Sequence, residues 1–172
     1  MAERFSKMKD YEGKELINIQ SRSENLDARI LSNLANTPFE YGGYNFKCVE
    51  AALQGIKFKD KNRREEVFAM SGRKALQAGR EITNSIKDGE ERFVYWDNKE
   101  IIYNSDEHRE LLAEFIRAKI RQNKGVQKSL LKLLKKNFIY HYIGEESPHT
   151  SLPEKFYMQV LIEEGRKLQQ EK

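Results

Sequence analysis

From Ser105 onward the chain carries apolar residues at helical spacing, with one longer break between Tyr142 and Ser151, and this leaves few ways to fold it. Leu112, Phe115, Ile116 and Ile120 form one stripe, in a stretch that acidic residues open at Asp106 and Glu107 and that reads as a helix to Asn123. Gly125 interrupts, and Val126, Leu130, Leu133 and Leu134 repeat the pattern. Phe156, Tyr157, Val160, Leu161 and Leu168 repeat it again, behind a Ser151–Glu154 capping box with Pro153 in the first turn. Three such stripes lose their apolar surface to water only by packing on one another or on a sheet.

The rest of the chain supplies short strands and further helices. Leu16–Gln20 and Phe138–Tyr142 read as strands. Gly42-Gly43 sits between the aromatic flanks of Phe39–Phe46, a hairpin signal. A helix is expected from about Lys47 to Phe58, with Val49, Ala52, Leu53 and Ile56 on one face. Ser71 is placed to cap another through Arg80, with Gly79 near its end. Phe93–Tyr103 is ambiguous: its alternation suits a strand, yet Asp97 has the chemistry of a helix cap. No repeat, linker or low-complexity tract divides the chain. The expectation is one α+β domain over residues 1–172, mostly helical with a small sheet or hairpin component.

Composition removes several function classes. Cys48 is the only cysteine, so neither an intrachain disulfide nor a site of several thiolates can form. His108, His141 and His149 have no metal-ligand spacing, and there is no Gly-rich phosphate loop or Ser-His-Asp signature, so no metal or cofactor is implied. No apolar run approaches the roughly 20 residues of a membrane span, and Met1–Asp10 lacks the apolar core of a signal peptide; the cytoplasm is the default expectation. A net charge of +4 suits an anionic ligand without demanding a nucleic acid. Two basic clusters, Lys59/Lys61/Arg63/Arg64 and Lys128/Lys132/Lys135/Lys136, read as solvated helix faces.

Two polar patterns stand out against this background. Glu50, Gln54 and Lys57 fall on one line of a helix, beside the small residues Ala51 and Gly55. Spacing alone favours an ordinary surface stripe over a site. Lys119 lies seven residues after Leu112 and three after Ile116, inside an apolar stripe, with Asn123 four residues on. An inward lysine needs an anionic partner or a route to water, and spacing leaves both open. Trp96 could stack on a base or simply pack.

The phrases Ile30-Leu31-Ser32-Asn33-Leu34, Pro38-Phe39-Glu40-Tyr41, Gly43-Tyr44, and Val49-Glu50 followed by Gln54 and Lys57-Phe58 resemble the signature opening of the NADAR family. Its members are also called YbiA-like proteins or riboflavin-biosynthesis-intermediate N-glycosidases. Ser21-Arg22-Ser23, Lys74-Ala75 with Gly79-Arg80, Trp96, and Arg117-Ala118-Lys119 with Gln122-Asn123 are similar to later family phrases, so the likeness runs from Leu16 to Leu168.

The resemblance implies a NADAR fold and hydrolysis of a ribose C–N glycosidic bond. The substrate would be of ADP-ribose or ribose-phosphate type, such as ADP-ribosylated guanine, free or in nucleic acid, or a riboflavin-pathway pyrimidine intermediate. It further implies catalytic roles for Glu50, which would stabilise positive charge on the sugar or activate water, and for Lys57, a candidate Schiff-base amine. Arg22, Arg80 and Lys119 would hold phosphate oxygens, Ser32 and Asn33 would fix hydroxyls, Trp96 would stack on the base, and Gln54, Gln122 and Asn123 would complete the pocket. The chain departs from the family at Ala51, where a histidine is usual, and between Tyr142 and Gln159, where the late W-G and N-x-L-G phrases are not recognisable. Those departures motivate an alternative: a protein that sequesters ADP-ribose or a cyclic nucleotide without cutting it.

Overall fold

A computed structural model describes residues 14–171; the Met1–Asp10 segment discussed above lies outside them. Strand β1 (Glu15–Asn18) pairs in parallel with β6 (Asn137–Tyr140), Leu16 opposite Phe138, so the start of the described chain lies beside a segment from its last third. Two antiparallel hairpins make up the remaining strand structure among the described residues: β2 (Phe39–Tyr41) with β3 (Tyr44–Phe46), and β4 (Phe93–Trp96) with β5 (Lys99–Ile102). The first turns at Gly42 and Gly43, with φ of 58° and 81°, the left-handed region that two-residue hairpin turns require. Asp97 and Asn98 turn the second in the same region, at φ 46° and 60°, which short side chains tolerate by bonding locally. Asp97 is therefore a turn residue and not a helix cap, and Phe93–Tyr103 is a hairpin.

The helices are α1 (Leu26–Leu31), α2 (Val49–Gly55), α3 (Lys61–Phe68), α4 (Gly72–Ser85), α5 (Asp106–Gln122), α6 (Lys124–Lys136) and α7 (Glu154–Gln170). Asn25, Asp60 and Ser105 cap α1, α3 and α5 through side-chain oxygens that accept backbone N–H groups. Three sequence expectations shift. Helix α4 continues past Arg80 to Ser85, so Gly79 lies inside it. Gly125 sits in the first turn of α6, and the break between α5 and α6 is at Asn123. The Ser151 capping box does not form; Pro153 takes the cap position, and the N–H of Glu154 donates instead to Glu146 Oε2 at 2.7 Å.

Helix α5 is the axis of the core. Its Leu112, Phe115, Ile116 and Ile120 are fully buried, meeting Val126, Leu130 and Leu133 of α6 and Tyr157, Val160 and Leu161 of α7. The Phe115 ring lies 5.3–6.4 Å from Phe39, Tyr41, Phe46 and Trp96, which ties both hairpins to the helix. A second, smaller apolar cluster (Cys48, Ala51, Phe58, Val67, Ala75, Ala78) joins α2, α3 and α4. Gly72, Ala75, Ala78 and Gly79 give α4 a face of small residues, so α2 and the loop after α1 approach its backbone closely.

Candidate functional site

Helix α2 is held at its start by two contacts. Cys48 Sγ accepts the N–H of Ala51 at 3.4 Å, and the N–H of Glu50 donates to the carbonyl of Asn33 at 2.8 Å. The second contact binds the Ser32-Asn33 turn to the backbone that carries the acid. One turn later, Gln54 Nε2 donates to Glu50 Oε1 at 2.6 Å. Lys57 follows the end of the helix; its Nζ is 3.3 Å from the hydroxyl of Thr83, which in turn donates to the carbonyl of Gly79. Gly79 is required here, because a Cβ at that position would stand 1.7 Å from Gln54 Oε1.

Glu50 and Lys57 are both half-buried: protein atoms crowd each, yet part of each surface stays open. Burial moves their proton affinities in opposite directions. It raises the Glu50 carboxyl above the ordinary range, against the pull of the Gln54 hydrogen bond, Lys57 and Arg80. It lowers the Lys57 amine; Glu50 opposes that shift and Arg92 adds to it. The acid and the amine sense each other, and each is displaced toward its neutral form. That trait recurs in catalytic acids, bases and nucleophiles.

A cleft of 590 Å³ is lined by Arg22, Arg73, Arg80, Gln77, Leu34 and Ile143, among others; Glu50 and Lys57 do not line it, and its link to them is Arg80, whose charge acts on Glu50. Arg73, Gln77 and Arg80 follow one another along a single face of α4, and Arg22 comes from the chain just after β1. All three guanidinium groups are exposed, and none forms an ion pair among the described residues. Leu34 carries the Ser32-Asn33 turn to the cleft wall, where it packs against Gly72; a Cβ on Gly72 would meet the Leu34 backbone at 2.8 Å.

The structure thus brings Arg22, Ser32, Asn33, Glu50, Gln54, Lys57 and Arg80 into one neighbourhood. Sequence reasoning missed Arg73, although its seven-residue spacing from Arg80 was visible. It also missed Thr83 and Arg92, which no pattern marked. The His108 ring is buried and its pKa is lowered to about 4 by burial, with Lys57 and Arg109 adding to the shift. Its Nδ1 accepts the N–H of Asn104 at 3.0 Å, so the neutral ring carries its proton on Nε2.

The other four residues do structural work. Lys119 does point inward, but its partners are carbonyl oxygens: Nζ donates to Leu31 at 3.1 Å and Ser32 at 2.8 Å, at the C-terminal end of α1. Tyr157 Oη donates to the same Leu31 carbonyl at 2.8 Å. Burial lowers the Lys119 pKa to about 7, and the amine has no phosphate-facing exposure. Trp96 packs among Tyr41, Tyr44, Phe46, Phe68 and Phe115 and lies over Gly42. Gln122 bonds both the N–H and the carbonyl of Glu40 on β2, and Asn123 bonds the carbonyls of Pro38 and Lys119.

Among the described residues no group of acidic, histidine or cysteine side chains is arranged to hold a metal ion, and no helix is long and apolar enough to cross a membrane.

Comparison with known proteins places these features in context. The E. coli protein YbiA, solved by NMR, superposes with a TM-score of 0.62 at 21% identity, covering 92% of this chain and 87% of YbiA. An uncharacterized 17.1 kDa protein from the Gp30–rIII intergenic region of Enterobacteria phage T4 is 32% identical over 100 residues, which is 58% of this chain and 64% of the phage protein. The family model for bacteriophage protein GP30.3 matches residues 25–164. With most of its length matched by that model, and with YbiA's architecture, the chain belongs to the bacteriophage protein GP30.3 family and has a YbiA-like fold.

Proposed function

We propose that the protein is an N-glycosidase that hydrolyses a ribose C–N bond in a substrate carrying phosphate or diphosphate, of ADP-ribose or ribose-phosphate type. The observation that carries this reading is that Glu50 and Lys57, each displaced toward neutrality by burial, lie within electrostatic reach of each other and of Arg80, which lines a cleft whose three arginines form no ion pair among the described residues. Breaking a ribose C–N bond builds positive charge on the sugar ring. A carboxylate held out of water is well suited to stabilise that charge and to accept a proton from the attacking water. The water oxygen bonds to C1′, the base leaves with the C–N electron pair, and its nitrogen gains a proton. Arg22, Arg73 and Arg80 supply planar donors for phosphate oxygens. Asn33 Oδ1, a buried acceptor without a hydrogen-bond partner among the described residues, is available to a ribose hydroxyl.

The depressed Lys57 amine supports a second route through the same atoms. The neutral amine bonds to C1′ as the base leaves with the C–N electron pair and gains a proton; the ribose ring then opens to a Schiff base, and water hydrolyses the imine to return the sugar and the free amine. Incubating the protein with ADP-ribosylated guanine and with ribosylated pyrimidine phosphates, followed by mass spectrometry, tests the reading. Wild type should release free base, whereas Glu50→Gln and Lys57→Ala should bind ligand and release little or none. Borohydride trapping of a sugar adduct on Lys57 separates the two routes. A folded wild type that leaves every C–N bond intact would end the proposal.

A further inference from the structure

The two basic clusters that look equivalent in sequence have opposite fates in the fold. In the first, Lys59 pairs with Glu100, Lys61 with Glu65 and Arg63 with Glu66, while Arg64 is buried with its guanidinium on the carbonyls of Phe58 and Lys59. In the second, only Lys132 meets a carboxylate, Asp27 at 2.6 Å. Lys124, Lys128, Lys135 and Lys136 are exposed and form no ion pair among the described residues. Helix α6 holds five lysines and no acidic residue, one more positive charge than the whole chain's net of +4. That one helix carries a positive charge comparable to the net charge of the whole chain.

Position along the helix gives that charge a shape. Lys124, Lys128, Lys132 and Lys136 recur every four residues, a line about 18 Å long at 1.5 Å per residue. The apolar side of α6 is spent on the core through Val126, Leu130 and Leu133, so the exposed side offers cations without apolar residues to insert into a bilayer. Lys14, beside the end of α6 where β1 pairs with β6, stands 5.2 Å from the Phe138 ring and extends the basic edge. We propose that the lysine face of α6 binds the phosphodiester backbone of a nucleic acid, a linear polyanion that matches a row of exposed lysines of which only Lys132 is paired. This surface is separate from the arginine cleft, and the inference stands or falls independently of the N-glycosidase reading.

Fluorescence anisotropy with a labelled duplex and a labelled single strand, titrated across salt concentrations, tests it. Each phosphate contact contributes about 0.9 to the slope of log affinity against log salt on duplex. Four unpaired lysines thus predict a slope near −3.6, about a 10²-fold loss between about 50 and 200 mM salt. Changing Lys124, Lys128 and Lys136 together to Gln should flatten the slope by about 2.7 and weaken binding more than tenfold. The charge-matched control, Lys59, Lys61 and Arg63 to Gln, should bind like wild type. If the triple α6 variant melts early, single replacements should each remove about 0.9 from the slope. Equal losses in the two triple variants, absence of binding at low salt, or equally tight and α6-dependent binding to anionic lipid vesicles would each overturn the proposal.

Discussion

Burial of Lys119 and of Lys57 has different consequences because the two amines meet different partners. Lys119 is enclosed by carbonyl oxygens, and its pKa of about 7 lies below the ordinary 10.5 because burial penalises the ammonium form. Between those two values the unfolded chain binds more protons at this position than the native one, so the lysine's contribution to stability rises with pH across that window. Urea midpoints measured from about pH 7 to about pH 10 should show this gain in wild type and lose it in Lys119→Met. The variant should also be weaker by about 1–3 kcal/mol, since the Ser32 carbonyl loses its lysine donor. Lys57 instead meets charged groups of both signs. If its neutral amine is the reacting form, turnover rises with pH through its lowered pKa. Arg92 adds to that lowering, so Arg92→Gln should move the rising limb of the pH–rate profile to higher pH. A limb that stays in place would remove Lys57 from the rate-limiting chemistry.

Glycines on two helices test how the elements fit together. Gly79→Ala drives a Cβ into Gln54 Oε1, so Gln54 must swing away and release Glu50. Overpacking of this kind costs about 1–3 kcal/mol, more than the roughly 1 kcal/mol an alanine gains over glycine within a helix. The expected result is a lower melting temperature and a Glu50 pKa, followed by NMR, that rises further because its hydrogen bond is lost. Gly125→Ala makes the opposite case, since a Cβ there approaches nothing closer than Ile30 Cδ1 at 3.9 Å; that variant should melt higher. The same elements show what the sequence could reveal. Helices α5, α6 and α7 were legible because each buries a continuous apolar stripe, and the Gly42-Gly43 hairpin because its turn needs glycine. Helix α3, KNRREEVF, was not: only Val67, Phe68 and the buried Arg64 anchor it, and that gives no periodic signal. Helix α1, a single turn and a half, is fixed by the Asn25 cap and by packing on α6. Glu50 and Gln54 could be placed on one face from spacing alone, but their burial depends on the small-residue face of α4, which comes from another part of the chain. Lys119 was legible as an inward lysine, while its carbonyl partners, 87 and 88 residues away, were not.

On the scale of the molecule, the arginine cleft exists because distant segments close on each other. Arg22 follows β1 and Ile143 follows β6, and the parallel pairing of those strands brings both to the same wall. Asn18 secures that closure beyond the last strand pair: its Nδ2 donates to the carbonyl of Tyr142 at 2.7 Å, and its Oδ1 accepts the Tyr142 N–H at 3.0 Å. The His141 ring shares a 2.6 Å hydrogen bond with the carbonyl of Ile19 one step away. A side chain that substitutes for a strand partner in this way fixes the exit direction of residues 141–143, and so the position of Ile143. Asn18→Ala removes both bonds at a half-buried position and should cost about 1–3 kcal/mol in urea unfolding. Amide exchange should accelerate at Tyr142 and Ile143 while the α5 core stays protected, since Leu112, Phe115, Ile116 and Ile120 are fully buried. Ligand affinity should fall with it, because Arg22 and Ile143 would no longer be held against α4. If exchange at Tyr142 is unchanged and affinity intact, the β1–β6 closure does not set the cleft, and Arg73 and Arg80 on α4 must define it alone.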